Sequence, residues 1–321
     1  MTMNLDNIWL WIGFSLFIIL ALSFDTFLSD KNIIKPSQSI RAAIYWSLFW
    51  ICLSLLFNAV LWICVYSKYG MALANKKGLD FLTGYLIEKT LAFDNLFAFY
   101  IIFKQFKIPV QYQQRVFSYG IWSAIILRLI FILVGVWLIE QFHWVLYLMG
   151  AFLLFTGIKM FFAHEKEKDF TDTVVLRTLR RFLRITRELH EEHFFIRLNH
   201  LIYVTPLFIA LVFIEISDVI FALDSIPAIF AITTDPFIVW SSNIFAILGL
   251  RALYFLLAGL ANEFRLIKYG VALILVFVGC KMLVERWVHI SGVVSLIIVA
   301  VILFIFTLLS ILERKKMHRR K

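Results

Sequence analysis

Nine stretches of this chain are apolar over lengths that cross a lipid hydrocarbon core of about 30 Å, and no other feature restricts the possible folds as strongly. They lie near residues 8–28, 42–66, 81–103, 116–139, 144–163, 203–232, 238–261, 267–285 and 290–312. The expected fold is an all-α polytopic membrane protein with about nine transmembrane helices. Composition agrees, because 62% of residues are hydrophobic and only 16% are charged, against roughly a quarter charged in soluble domains. The first run has no Lys or Arg before it and no small-residue cleavage motif after it, so it is read as a retained helix and not as a signal peptide. Cys52, Cys64 and Cys280 all sit in apolar runs and form no CxxC, which leaves them as small buried hydrophobes and not as a disulfide framework or thiolate metal site.

A net charge of +10 would suit a nucleic-acid binder, but most of the basic residues fall in loops between apolar runs, and a lipid bilayer is the better partner. Counted on alternate sides, 22 Lys and Arg share one side, while the other has only Lys68, Lys76, Lys77 and Arg286. The positive-inside rule then places the N-terminus outside and the C-terminus in the cytoplasm. The long loop after residue 164 carries Val175, Leu179 and Phe182 at helical spacing, with Arg177, Arg180, Arg181 and Arg184 between them. That pattern predicts a basic amphipathic helix on the cytoplasmic membrane surface. His190-Glu-Glu-His193 in the same loop places two imidazoles one turn apart, but a charge run of this kind is better read as a solvated face.

The chain repeats itself. Glu88-Lys-Thr-Leu-Ala-Phe-Asp94-Asn95-Leu96 matches Asp218-Val-Ile-Phe-Ala-Leu-Asp224-Ser225-Ile226, Gly120 to Arg128 matches Asn243 to Arg251, and Gly157-Ile-Lys159-Met160 matches Gly279-Cys-Lys281-Met282. An odd number of spans separates each residue from its mate, so the two units cross the membrane in opposite directions, the inverted-repeat plan of many secondary transporters. The chain divides into two N-terminal helices (1–79), a first three-helix repeat (80–163), a basic loop (164–202), a second repeat (203–286) and a last helix with a basic tail (287–321).

Inside the spans lie five carboxylates, Glu88, Asp94, Glu215, Asp218 and Asp224, beside Lys89, Arg128 and Arg251. A carboxylate at a helix centre costs roughly 2.5 to 3.5 kcal/mol on insertion scales, so the set needs compensation. If each basic group neutralises one acid, two formal negative charges remain, which a divalent cation or protons can balance. Pro227 frees a carbonyl and disfavours helix just before it, so the sixth span is expected to break there. On an unbroken helix Asp218 and Asp224 would stand roughly 120° and 9 Å apart, and would share an ion only if the helix unwound between them or mates from the other repeat completed the shell. Carboxylates, the Asn95 amide and the hydroxyls of Thr90, Ser217 and Ser225 are oxygen donors, which suit Mg²⁺, Ca²⁺ and Mn²⁺. No GxxxxGK[ST] loop supports direct ATP drive, no nucleophile and base occur at a catalytic spacing, and no organic cofactor is called for. An enzyme is therefore not expected, a proton gradient is an available drive, and the oligomeric state is open.

At these residues the chain resembles the TerC family of bacterial membrane proteins, its Alx-type members in particular. The stretches that carry the resemblance are Thr83 to Asn95, Glu192-His-Phe-Phe195, Glu215 to Phe230, Thr233 to Phe237 and Ser242 to Phe255. The resemblance implies a multi-pass protein of the bacterial inner membrane that exports Mn²⁺ as its transported substrate. It further implies that Glu88, Asp94, Glu215, Asp218 and Asp224 are the metal-site acids, with Asn95 and Ser225 as neighbours. Arg128, Arg251 and Lys89 would then set the charge of the site or gate it. The alternative is a membrane partner that hands metal to exported proteins or assists their insertion, without transport of its own.

Overall fold

The computed structural model describes residues 8–30, 40–162, 173–186, 189–190, 192–198, 200–258, 267–284, 287–288 and 290–318. With no water in the bilayer core, a spanning segment must satisfy its backbone internally, and within the described residues most of each of the nine apolar runs is helical. In chain order these helices are α1 (Ile8–Asp30), α2 (Ile40–Tyr69), α3 (Met71–Gln105), α4 (Val110–Gln141) and α5 (Val145–Phe162). After a short α6 (Val174–Phe182) and a hairpin, β1 (Phe195–Leu198) with β2 (Leu201–Val204), come α7 (Pro206–Phe230), α8 (Pro236–Ile247), α9 (Leu250–Ala258), α10 (Ile267–Val284) and α11 (Gly292–His318). Among the described residues six segments are long and apolar enough to cross a membrane, namely α2, α4, α5, α7, α8 with α9, and α11, and α1 adds a shorter apolar stretch. The chain is an all-α integral membrane protein.

Burial separates the central helices from those that face lipid. The most apolar window of the α8–α9 segment is 100% buried, whereas that of α11 is 17% buried. The centre of the molecule is therefore α8–α9, and residues such as Leu55, Leu56 and Phe304 project from its periphery.

Side-chain proximities give the helix directions. Lys77 reaches Asp235, Gly84 faces Ser242 and Lys89 reaches Ala246, so α3 and α8 run parallel. Ser123 pairs with Glu215, Arg128 with Asp218, and Gly135 faces Phe230, so α4 and α7 are parallel too. The sequence repeat maps α3 onto α7 and α4 onto α8–α9, which makes these two packings images of each other. Helices α5 and α10 cross antiparallel through small residues. A Cβ on Gly157 would lie 2.8 Å from the Ala272 carbonyl oxygen, and one on Gly279 would lie 2.8 Å from that of Gly150. Gly157 and Gly279 are repeat mates, as are Gly150 and Ala272 by the same offset, so the two contacts exchange under the inversion.

Four features depart from the expectations. Helix α7 passes through Pro227 without breaking, because the proline falls in the last turn, where the loss of one hydrogen bond is followed within three residues by the helix end. The break comes in the next span, between α8 and α9, where Gly249 adopts φ +82° against the Trp50 ring. That positive φ is open to glycine and strained for other residues. Helix α3 begins at Met71, so the boundary expected at residue 80 falls inside it. The predicted amphipathic helix exists as α6, but it turns Leu176 and Leu179 into the core and leaves Phe182 77% exposed. The side chains of Val175 and Arg180 lie outside the described residues, as does Glu191 of the His190–His193 motif.

Candidate functional site

Arg128 organises the buried charge. Its guanidinium lies on α4 with no exposed surface. One terminal nitrogen donates to Glu88 of α3 and, at 2.9 Å, to the Asn243 amide oxygen of α8. The other donates to Asp218 Oδ1 of α7 at 2.9 Å, while Nε approaches Asp218 Oδ2 at 3.4 Å. A planar guanidinium with five donors suits this fork. Four helices from both repeats thus meet on one side chain, and its two carboxylate partners, Glu88 and Asp218, are repeat mates. Two acids against one base leave the cluster a formal negative charge if all three are ionised.

Lys89 does not relieve that charge as the sequence reading expected. Its ammonium donates to the carbonyls of Ala246 at 3.1 Å and Leu248 at 3.4 Å. These are the C-terminal carbonyls of α8, freed where the helix stops before Gly249. A cation at the negative end of a helix is well placed, so Lys89 is explained by the break. Arg251 is buried at the start of α9, one residue beyond Leu250.

The other acids are distributed along α7. Glu215, one turn before Asp218, accepts a hydrogen bond from Ser123 of α4 and sits over Gly120, where a Cβ would lie 3.5 Å from its Oε1. Asp224 lies on a different side of the unbroken helix, with Thr156 and Lys159 of α5 as its polar neighbours. Asn95 and Ser225 are both buried, at 2% and 1% exposure. The Asp94 side chain lies outside the described residues. Among the described residues no three His, Cys, Asp or Glu side chains come together as a metal cage. Glu88 Oε2, Glu215 Oε2, Asp224 Oδ1 and Ser225 Oγ are nevertheless buried without a hydrogen-bond partner. Buried oxygens of this kind are costly unless something is bound to them.

Sequence reasoning missed three contributors. Asn243 is an amide within a wholly buried helix, and its place opposite Gly120 in the repeat was the available signal. Ser123 and Thr156 carry no signal beyond being hydroxyls inside spans. A second buried cluster was also missed: Lys77 pairs with Asp235, and Asp80 sits beside Lys76, Lys77, Thr233 and Lys281. Lys77, Asp80, Gly84 and Glu88 recur at helical spacing on one face of α3, which links this cluster to Arg128 along the α3–α8 seam.

The model of the integral membrane protein TerC family matches residues 73–319. This chain belongs to the TerC family. It is 53% identical over 287 residues, 89% of each chain, to the Escherichia coli (strain K12) protein Alx, whose name describes a membrane-bound redox modulator. A Salmonella typhi Alx protein is 50% identical over 311 residues, 97% of this chain and 95% of its own. A Myxococcus xanthus membrane protein of uncharacterized function is 45% identical over 293 residues, 91% of this chain and 88% of its own. No solved structure matches.

Proposed function

We propose that this TerC-family protein is a transporter of the bacterial inner membrane that exports a divalent cation, Mn²⁺ foremost, along the interface of its inverted repeats. One observation carries the reading: the mated carboxylates Glu88 and Asp218 converge on Arg128, and buried acidic oxygens beside them are left without partners. A divalent cation would satisfy such oxygens, and the ion pairs with Arg128 leave them unused. Donors that are all oxygen favour a hard cation over Cu(I) or Zn²⁺.

The acids of α7 supply the path. Glu215 and Asp218 face α4, while Asp224 faces α5, so an ion moving along α7 exchanges one carboxylate for another in steps of a turn or two. The positions of Asp94, Asn95 and Ser225 along α3 and α7 make them the remaining candidate donors, while Arg128 and Arg251 offset two of the five acids and leave an excess of negative charge that attracts a divalent ion. The inverted-repeat plan read from the matched residues suits alternating access around such a site.

Mn²⁺ flux into proteoliposomes tests this reading. The wild type should carry Mn²⁺, and Asp218→Asn and Asp224→Asn should each lower the rate at least tenfold with normal insertion. Absent flux from the wild type would sink the transporter and favour a partner role in metalation or insertion of exported proteins. Full flux in both variants would sink the site.

A further inference from the structure

The connection from α6 to α7 is one docked unit with a buried side and an exposed side. Val204 of β2 bonds backwards to the segment after α6, donating to the Arg184 carbonyl at 2.8 Å and accepting from Thr186 N–H at 2.9 Å. Leu176, Leu179, Leu183, Ile185 and Val204 turn into the main core, and Thr205 anchors the base by donating to the His193 carbonyl at 2.7 Å.

Beyond that base the hairpin exposes apolar side chains on both faces. Alternation places Phe195, Arg197 and Ile202 on one face and Leu198 and Leu201 on the other. Phe195 is 52% exposed, Ile202 68% and Leu201 42%. A two-stranded hairpin with a solvated apolar tip is marginal in water, so this tip needs an apolar phase. The phase is identified by where the hairpin leans. The Phe195 ring packs at 4.8 Å on Phe208, in the first turn of the α7 span, and Phe194 packs edge-on against Tyr119 of α4. The base of the hairpin therefore packs beside the first turn of α7 and the third turn of α4, at the ends of those spans on this side of the bundle. Around it, Arg181, Arg184, Arg197 and His200 are exposed, a charge complementary to anionic headgroups.

We infer that the β1–β2 hairpin is a lipid-binding element whose tip inserts among the headgroups and upper acyl chains of an anionic leaflet, with the surrounding arginines on the lipid phosphates. The leaflet is the one on the side of the 164–202 connection. This inference does not depend on the protein being a transporter.

A fluorophore tests it directly. Ile202→Cys, in a full-length chain with Cys52, Cys64 and Cys280 replaced by alanine, is labelled with an environment-sensitive dye and reconstituted in vesicles of phosphatidylethanolamine and phosphatidylglycerol. Leu198→Cys serves as a second labelling position on the opposite face. Insertion predicts emission shifted to the blue, quenching by lipids with a spin label high on the acyl chain, and little quenching by aqueous iodide. Replacing phosphatidylglycerol with phosphatidylcholine should weaken the lipid quenching severalfold, as should Arg181→Gln with Arg197→Gln. Strong iodide quenching with no lipid quenching at both positions overturns the inference. So does protection lost when protein is diluted into excess lipid, which would assign the tip to a second copy of the chain.

Discussion

At the scale of single residues, Arg128 decides most. A buried guanidinium is tolerated because Glu88, Asp218 and Asn243 take up its donors, and removing one member of a buried pair typically costs about 3–5 kcal/mol. Arg128→Met should therefore lower the thermal unfolding midpoint in detergent well below that of Asp218→Asn, because it leaves two acids facing each other. Arg128→Lys should recover only part of the loss, since an ammonium cannot reproduce the fork. Comparison of the three variants by tryptophan fluorescence would check this order. Much of the residue scale was legible: an acid inside a span announces itself by its rarity, and the six-residue step paired Glu88 with Asp218. Partner choice was not legible. Lys89 looked like a counter-charge for a carboxylate, and it binds carbonyls because a helix ends beside it, which depends on a backbone angle 160 residues away at Gly249.

At the scale of elements, helices end and cross where small or charged residues permit. Proline is a conspicuous breaker in sequence, yet α7 continues through Pro227, while Gly249 in an unremarkable Leu-Gly-Leu ends α8. The α5–α10 crossing depends on glycine. A Cβ on Gly279 would lie 2.7 Å from the Leu154 backbone nitrogen, so Gly279→Ala should cost about 1–3 kcal/mol by overpacking. Gly13→Ala, with open space around it inside α1, should instead stabilise by up to about 1 kcal/mol, and melting curves would separate the two. At the start of α8, Asp235 accepts from the N–H groups of Phe237 and Ile238 at 3.0 and 3.3 Å and also receives Lys77. Asp235→Ala removes a cap worth about 1 kcal/mol and strands a buried ammonium. Lys77→Met in the same chain should restore part of that stability, a rescue visible in a double-mutant cycle. The hairpin was not foreseen because its strands, four residues each, run straight into the apolar stretch of α7.

At the scale of the molecule, the inverted repeat was read from matched residues and the parallel α3–α8 and α4–α7 packings agree with it, but neither the start of α3 at Met71 nor the break of α8–α9 at Gly249, which has no counterpart in α4, was legible. The two ends of the bundle are not alike. One is ionic, built from Lys77, Asp80, Asp235 and Lys281. The other is aromatic, with Phe103, Phe117 and Tyr254 in mutual contact and the Tyr254 hydroxyl donating to Gln113 at 3.0 Å. Orientation is a separate matter from symmetry. The basic excess predicts the aromatic end in the cytoplasm, so a fluorescent protein fused after Lys321 should fold and fluoresce, whereas a phosphatase fused there should be inactive. The reverse result would turn the whole bundle over.

The crossing of α5 and α10 has a mechanical meaning. Because its two close contacts exchange under the inversion, a tilt of one repeat against the other loosens one contact as it tightens the other, and a tilt the opposite way does the same with the roles reversed. Such a joint is a bearing with no preferred sense. The two ends of the bundle are not related by that exchange, with Lys77, Asp80 and Asp235 at one and Phe103, Phe117 and Tyr254 at the other, so a difference between the two tilts would arise there.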